Sequence, residues 1–463
     1  MKVRIVLKVL GIVLFSESVL MIPSLLISII DSSYEIKAFI ITIAATAATG
    51  FLLSRFGSYK IEMRKRDGFA AVALSWLVMS LFGALPFYLS GSIPSYIDAL
   101  FETVSGFTTT GSSILRDVEI MPRGLLFWRS FTHWIGGMGV LIFTMALVPT
   151  IGGRPVFLMR AESPGPAPGK LVPKIGESSK ILYIIYAVMT AILILLLIAA
   201  GMPVFNSFIY AFGTAGTGGF AMDALSVGAY NSPLIEWIIT IGMFSFGINF
   251  SLYYLLIRKE FKHIFQNEEF RLYCFYVFWA VLLVVLNMLP KYNYDISEAL
   301  RHSAFSVSSL VTTTGFATVD FNLWFTFSKA VLLTLMFFGA SAGSTGGGIK
   351  SIRILVLFKS IYYEIKHTIH PKSVQRIKVD GKSIDDDTLK SILIFFFAYV
   401  IIIIFSTTIV SLDNFDFTTS FTATLATISN IGPGFEVVGP MGNYADFSNL
   451  SKITLITNMI LGR

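Results

Sequence analysis

The chain has 463 residues, 54% of them hydrophobic and only 14% charged, with a mean hydropathy of +0.74. A soluble domain carries about 25% charged residues, so this composition excludes one and indicates a polytopic membrane protein. The net charge of +7 does not signal nucleic acid, because no basic patch is interleaved with aromatics as such sites require, and the single cysteine, Cys274, excludes an internal disulfide or a thiolate metal cluster.

About 20 apolar residues cross a bilayer as a helix. The first such stretch, roughly Ile5–Ile30, is too long in its apolar part for a signal peptide and lacks a small-residue cleavage site, so it is expected to remain as a helix. Further spans are predicted at roughly Ala38–Phe56, Phe69–Leu89, Leu125–Val148, Ile181–Gly201, Leu234–Ile257 and Leu272–Leu289. Others follow at roughly Phe325–Gly339 and beyond, at Leu389–Leu412 and from near Leu450, about ten in all.

Charge alternates between the loops. Lys2 and Arg4, the run Arg64–Asp67, Arg154, Arg160, Lys170, Lys174, the "RKEFKH" loop and the stretch from Lys350 to Lys378 share one side. The other side holds Asp31, Glu35, Asp98, Asp223, Asp295, Asp320, Asp416 and Asp446 with few bases. Basic loops stay in the cytoplasm, which places both termini there. The connectors "ESPGPAPGKLVPK" and "HPKSVQRIKVDGKSIDDD" are too short and polar to form domains, so no soluble catalytic domain is expected.

On the acidic side, four semi-apolar segments are too short to span: "SYIDALFETVSGF", "VFNSFIYAFGTAG", "ISEALRHSAFSVSSL" and "FTTSFTATLATISN". Such segments read as re-entrant helices, and irregular backbone after them is tolerated only against protein or a water-filled cavity. Each leads into a similar loop: "GFTTTGSSI", "GTAGTGGFA", "SLVTTTGFA" and "TISNIGPGF", with glycines at Gly111, Gly218, Gly315 and Gly432. The period is roughly 100 residues, and repetition of this kind governs the fold. The predicted architecture is all-α: two extra N-terminal transmembrane helices in 1–67, then helix–pore loop–helix units at 68–153, 154–262, 263–370 and 371–463 around one pore.

A dehydrated cation needs replacement oxygens, and a ring of backbone carbonyls supplies them without a fixed charge that would trap it. The predicted ring is Thr109, Thr110 and Gly111; Thr217 and Gly218; Thr313, Thr314 and Gly315; Asn430, Ile431 and Gly432. Glycine permits backbone angles that turn successive carbonyls to one side, and the hydroxyls add oxygens. The alternative for any one loop is a helix C-cap and turn.

The run "FFGASAGSTGGGIKS" invites comparison with a phosphate-binding loop, G-x-x-x-x-G-K-[ST], but after Gly343 and Gly348 the lysine position holds Ile349, with Lys350 and Ser351 one place late. Glycine destabilises a helix by up to about 1 kcal/mol relative to alanine, so the helix is expected to break over Gly339–Gly348 and line a cavity beneath the third loop. Close packing through small residues is the alternative.

These features, with "FWRSFTHWIGGMGV", "GASAGSTGGGIKSIR", "SNIGPG" and a closing "LGR", resemble the Trk/Ktr/HKT superfamily of potassium transporters, and the two extra N-terminal spans resemble its bacterial Trk type. The resemblance covers nearly the whole chain. It implies potassium uptake across the cytoplasmic membrane, with potassium as the transported ion and no organic cofactor. Rubidium, and sodium to some degree, are expected to pass, since each loop has one glycine where potassium channels carry the fuller TVGYG. It also implies a homodimer with one pore per subunit and a cytoplasmic nucleotide-binding regulatory subunit of the TrkA type. The gate it implies is Gly339, Gly343, Ser344, Thr345, Gly346, Gly347 and Gly348, with Lys350 and Arg353 marking the return to the cytoplasmic surface as contacts for a regulator. Arg463 matches an arginine that projects into the pore as an electrostatic barrier; its alternative is a cytoplasmic anchor. The last span is expected to be cut short, because only about 14 residues begin at Leu450.

Coupling to protons or sodium is an alternative mechanism. A membrane-embedded enzyme using the glycine run would need acidic metal ligands, and Asp385–Asp387 read as a solvated turn. Glu102, His302 and Glu436 read as solvated charges at the mouth, the first two with the alternative of holding the re-entrant helices. His133 reads as packing, having no second ligand at metal spacing.

Overall fold

The computed structural model describes residues 3–57, 65–139, 175–371 and 376–463; the proline-rich connector and the end of the fourth expected span lie outside these residues. Helices α1 (Val3–Leu20) and α2 (Ile22–Ile30) form one span, and α1 packs on α3 (Ile36–Phe56). A Cβ on Gly50 would come within 2.8 Å of the Gly11 carbonyl, so the two backbones meet through small residues, as membrane helices do.

The four repeats follow. The first comprises α4 (Lys65–Gly83) and α5 (Leu85–Leu89), the re-entrant α6 (Tyr96–Phe107) and α7 (Arg123–Gly137). The second comprises α8 (Ile175–Ala199), the re-entrant α9 (Val204–Gly216), α10 (Pro233–Phe246) and α11 (Phe250–Ile257), with α12 (Phe261–Gln266) leading out. In the third, α13 (Glu268–Met288) and re-entrant α14 (Ile296–Val311) precede α15 (Thr326–Phe338) and α16 (Ser351–Ile369). A small hairpin, β1 (Lys378–Val379) and β2 (Lys382–Ser383), turns at Asp380 and Gly381, both with positive φ, the Asp-Gly chemistry of a tight hairpin. The fourth repeat is α17 (Asp386–Val410), re-entrant α18 (Phe417–Ile428) and α19 (Asn449–Gly462).

Among the described residues six helices are long and apolar enough to cross a membrane, or seven if the bent α10–α11 pair is one span, against about ten expected. The difference arises in the second helices of the repeats. The expected Leu234–Ile257 span bends by 94° between Gly247 and Asn249, where the Asn249 side chain accepts the Ser251 amide at 2.9 Å and starts α11. The expected span from Phe325 stops at Phe338 and resumes at Ser351, so the glycine run does break its helix.

The exterior is apolar, unlike that of a soluble protein. α8 exposes Ile184, Val188, Ile192 and Leu195, and α17 exposes Ile394, Phe397, Ile401 and Ile404, at the three- and four-residue spacing of one helix face. The buried centre is rich in serine and threonine, including Ser105, Thr108, Ser308, Thr312 and Thr427. Apolar stripes outside and polar groups inside suit a hydrocarbon solvent.

Candidate permeation site

The four re-entrant helices start with polar caps where they have them: Ser95 accepts the Asp98 amide, Asp295 those of Ser297 and Glu298, and Asp416 that of Thr419. At 12 to 16 residues they extend roughly 18 to 24 Å, short of the hydrocarbon core of about 30 Å. Their buried C-terminal ends converge.

All four end in one backbone motif. Thr110, Gly218, Thr314 and Ile431 each donate their amide to the carbonyl five residues earlier, on Ser105, Gly213, Ser309 and Ala426, at 2.8 to 2.9 Å. The preceding residue is left-handed in every case: Thr109 (φ 54), Thr217 (φ 56), Thr313 (φ 59) and Asn430 (φ 54). This is the Schellman ending of a helix, but with β-branched threonine at three positions that glycine usually takes. Backbone strain of that kind persists only when its surroundings impose it. A second left-handed residue follows two places on, at Gly111, Gly219, Gly315 and Gly432, with φ from 78 to 97. The glycines are therefore not the helix caps. In the second loop the register is also one residue later than the sequence comparison predicts: Gly219 is the equivalent of Gly111, and Gly218 takes the place of Thr110. Two adjacent glycines hide this in the sequence.

The loops close into a ring. A Cβ on Gly111 would strike the Gly218 carbonyl, one on Gly219 the Thr314 carbonyl, one on Gly315 the Ile431 carbonyl, and one on Gly432 would lie 2.7 Å from the Thr110 carbonyl. Each glycine thus lies against the carbonyl of the next loop, in the order one, two, three, four and back to one. Side chains bind neighbours further: Asn430 Nδ2 donates to Thr110 Oγ1 at 2.9 Å and the Ser112 hydroxyl to the Gly432 carbonyl at 3.1 Å. Two buried oxygens at the left-handed positions, Thr109 Oγ1 and Asn430 Oδ1, have no hydrogen-bond donor among the described residues.

Glu102 and His302 are corrected by the structure. Glu102 is 1% exposed; its carboxylate takes Arg129 Nε at 2.6 Å, the Ser113 hydroxyl at 2.9 Å and the Ile114 amide at 2.9 Å. Arg129 reaches on to the Ala221 carbonyl at 3.1 Å and lies over the Phe220 ring. The pair joins the outer ends of loops one and two, an assignment that needs the partner arginine, which sequence order places far away. His302 is buried, stacked with Tyr292 and bonded to the Thr318 hydroxyl at 2.9 Å. Glu436 is exposed, 3.9 Å from Lys329.

His133 is buried packing with a defined tautomer. Gly106 offers only a carbonyl and Phe220 only an amide, so Nδ1–H donates to Gly106 at 2.7 Å and Nε2 accepts from Phe220 at 3.3 Å. A Cβ on Gly218 would strike its ring.

Beneath the ring, on the side of the helix C-termini, lies the Gly339–Lys350 segment. The Gly347 amide donates to Thr313 Oγ1 at 2.6 Å; Gly346 lies against the Thr312 carbonyl and Gly347 against the Ser429 carbonyl. The bend in the second repeat embraces the same segment: Phe250 donates to the Gly343 carbonyl at 3.0 Å, Ser341 to that of Gly247 at 3.1 Å, and the Thr345 hydroxyl to that of Phe246 at 3.3 Å. Arg463 crosses underneath, donating to the Thr345 carbonyl at 2.9 Å and to those of Gly136 and Gly137 at 2.6 and 2.9 Å. It is bound to the glycine segment and does not stand as a cytoplasmic anchor.

Lys350 and Arg353 turn inward. Lys350, at φ 76, donates to the Gly346 carbonyl, while Arg353 is buried over the Phe395 ring. The returning helix carries both toward the protein, so neither presents the surface expected of a regulator contact. Sequence reading also missed Arg129, Glu269 and Tyr276, each of which bonds a backbone group remote in the chain, for which no local signal exists, and Asn249, whose cap on Ser251 is local.

Re-entrant helices converging on a closed four-loop ring, inside a bundle with an apolar exterior, define a membrane protein that passes small cations. The sequence matches the family model described as TrkH, cation transport protein, over residues 32–463. It is 34% identical to the Trk system potassium uptake protein TrkH of Halomonas elongata and 33% identical to the Trk system potassium uptake protein TrkG of Escherichia coli, in each case over 100% of this chain and 96% of the relative. The crystal structure of the potassium transporter TrkH from Vibrio parahaemolyticus superposes with a TM-score of 0.89 at 30% identity, over 100% of this chain and 96% of that one. The chain belongs to the TrkH family of cation transport proteins.

Proposed function

We propose that the chain takes up potassium across the bacterial cytoplasmic membrane through the four-loop ring, gated by the glycine segment beneath it. The observation that carries this reading is the cyclic contact of each loop's glycine with the next loop's carbonyl: the loops form one ring, and backbone oxygens suit a dehydrated monovalent cation. The ligands come from Thr109, Thr110 and Gly111; Thr217, Gly218 and Gly219; Thr313, Thr314 and Gly315; Asn430, Ile431 and Gly432. Thr109 Oγ1 and Asn430 Oδ1 add acceptors with no donor among the described residues. The re-entrant helices turn the negative ends of their dipoles toward the same place, which favours a cation without binding it in a deep charged well.

The gate comprises Gly339 to Gly348, held against the ring by Thr313 and from below by Arg463, whose charge also opposes a cation on the exit path. The units 68–153, 154–262, 263–370 and 371–463 are the four quarters of the ring, with 1–67 outside it. The finer reading, a homodimer regulated by a cytoplasmic nucleotide-binding subunit of the TrkA type, is supported by the family relationship.

The test is cation flux into proteoliposomes holding the purified chain, with potassium, rubidium, sodium and lithium compared with and without a proton gradient. Potassium and rubidium are expected to enter without the gradient, and faster after deletion of Gly343 to Gly347. Flux that requires the gradient in both forms overturns a channel-like ring in favour of coupled transport, and equal entry of lithium and potassium overturns potassium selectivity.

A further inference from the structure

One helix outside the ring holds both limbs of the glycine segment. α13 carries Glu269 in its first turn and Tyr276 two turns later. Glu269 Oε1 accepts the Ala342 amide at 2.6 Å and the Ile352 amide at 3.1 Å. Ala342 is in the limb leaving α15, and Ile352 is in the first turn of α16, where amides lack an intrahelical partner. Deeper in the membrane, the Tyr276 hydroxyl donates to the Gly339 carbonyl at 2.7 Å and lies 2.7 Å from Ser351 Oγ. The entrance and exit of the segment are thus tied together at two levels by one helix face. A carboxylate only 4% exposed at this depth is costly, and here its partners are the amides that the helix break releases.

The same turn of α13 is fixed from the cytoplasm. Asp380, at the tip of the β1–β2 hairpin, accepts the Glu268 amide at 2.8 Å with one oxygen and Asn267 Nδ2 at 2.8 Å with the other. Lys359 of α16 pairs with Glu268 and donates to the Lys378 carbonyl at 2.6 Å. The exposed hairpin therefore grips α13 and α16 together, one residue from Glu269.

We propose that Glu269 is a positioning residue that keeps the glycine segment closed by binding an amide on each limb, and that the hairpin sets it through Asp380. Moving the hairpin displaces the first turn of α13 and lengthens both Glu269 bonds at once, a two-limb release that a contact to one limb would not give. This rests on the gate reading above. Coupling between the two residues is the physical content, so a double-mutant cycle is the test.

In the full chain in proteoliposomes, Glu269→Gln is expected to raise rubidium flux about tenfold, the scale of losing a charge-assisted hydrogen bond, with the potassium-to-sodium ratio unchanged. Hydrogen exchange across 339–352 is expected to accelerate by a similar factor. Asp380→Ala, exposed and outside the membrane, is expected to shift both readouts in the same direction by less. The double variant is expected to match Glu269→Gln alone. Unchanged exchange in Glu269→Gln, or strictly additive effects in the double variant, overturns the proposal. If Glu269→Gln does not fold, unchanged exchange in both Asp380→Ala and Tyr276→Phe overturns it. Failure of the gate reading looks different: exchange responds in the variants, while deletion of Gly343 to Gly347 leaves flux as it was.

Discussion

The amide of Gly347 donates to the hydroxyl of Thr313 at 2.6 Å, so the segment beneath the ring is bonded to the ring. Thr313 belongs to both: its backbone takes the left-handed turn of the third loop, and its side chain holds the gate. Thr313→Ala removes the acceptor and is expected to raise potassium flux about fivefold, corresponding to roughly 1 kcal/mol for one neutral hydrogen bond. Thr313→Ser keeps the oxygen and is expected to restore the original flux. Equal flux in all three proteins would separate the side chain from gating.

The second loop offers a test of register. A Cβ on Gly219 meets the Thr314 carbonyl of the next loop, whereas one on Gly218 meets the His133 ring. Gly219→Ser and Gly315→Ser are therefore both expected to admit sodium more readily, because each displaces a neighbouring loop. Gly218→Ala is expected to lower the yield of folded protein, and His133→Ala in the same chain to recover part of it. Relative permeabilities from reversal potentials, with thermal stability alongside, distinguish the two glycines.

Arg463 spans the space under the ring with a fork that no lysine reproduces, reaching Thr345 on one side and Gly136 and Gly137 on the other. Arg463→Gln is expected to raise flux about tenfold through lost charge-assisted bonds and lost repulsion of the cation. Arg463→Lys keeps the repulsion alone and is expected to fall between. If the lysine variant conducts like the glutamine one, bridging to the gate dominates; if it conducts like the parent, charge does.

The Glu102–Arg129 pair is 1% and 3% exposed. Removing one partner strands a buried charge, so Glu102→Gln is expected to cost about 3 to 5 kcal/mol, read as a lowered melting temperature in detergent. Replacing both with methionine is expected to restore much of that stability while shifting the potassium-to-sodium ratio, because Ile114 and Ala221 lose their shared brace. Stability and selectivity that fall together in the double variant would argue against a separate role in setting loop geometry.

Much of this was present in the linear order of residues. The long spans follow from apolar length, which the bilayer imposes locally, while the second helices of the repeats fall short of what apolar length alone predicts. The four-fold repetition of short helix and threonine-glycine loop was legible for the same reason, as was the helix break at the glycine run, since three consecutive glycines act on the backbone where they stand.

Tertiary structure decided what depends on neighbours distant in the chain. Whether Gly218 or Gly219 faces the next loop depends on the hydrogen bond from Gly218 to Gly213 and on the crowding of His133, neither visible in "GTGGF". Glu102 looked like a mouth charge because its partner, Arg129, lies in another helix. The bend at Gly247–Asn249 exists to receive the glycine segment about a hundred residues later. Composition and periodicity report what each segment does with solvent, lipid and its own backbone; pairing between segments is fixed only when the ring closes and each buried polar group must find a partner.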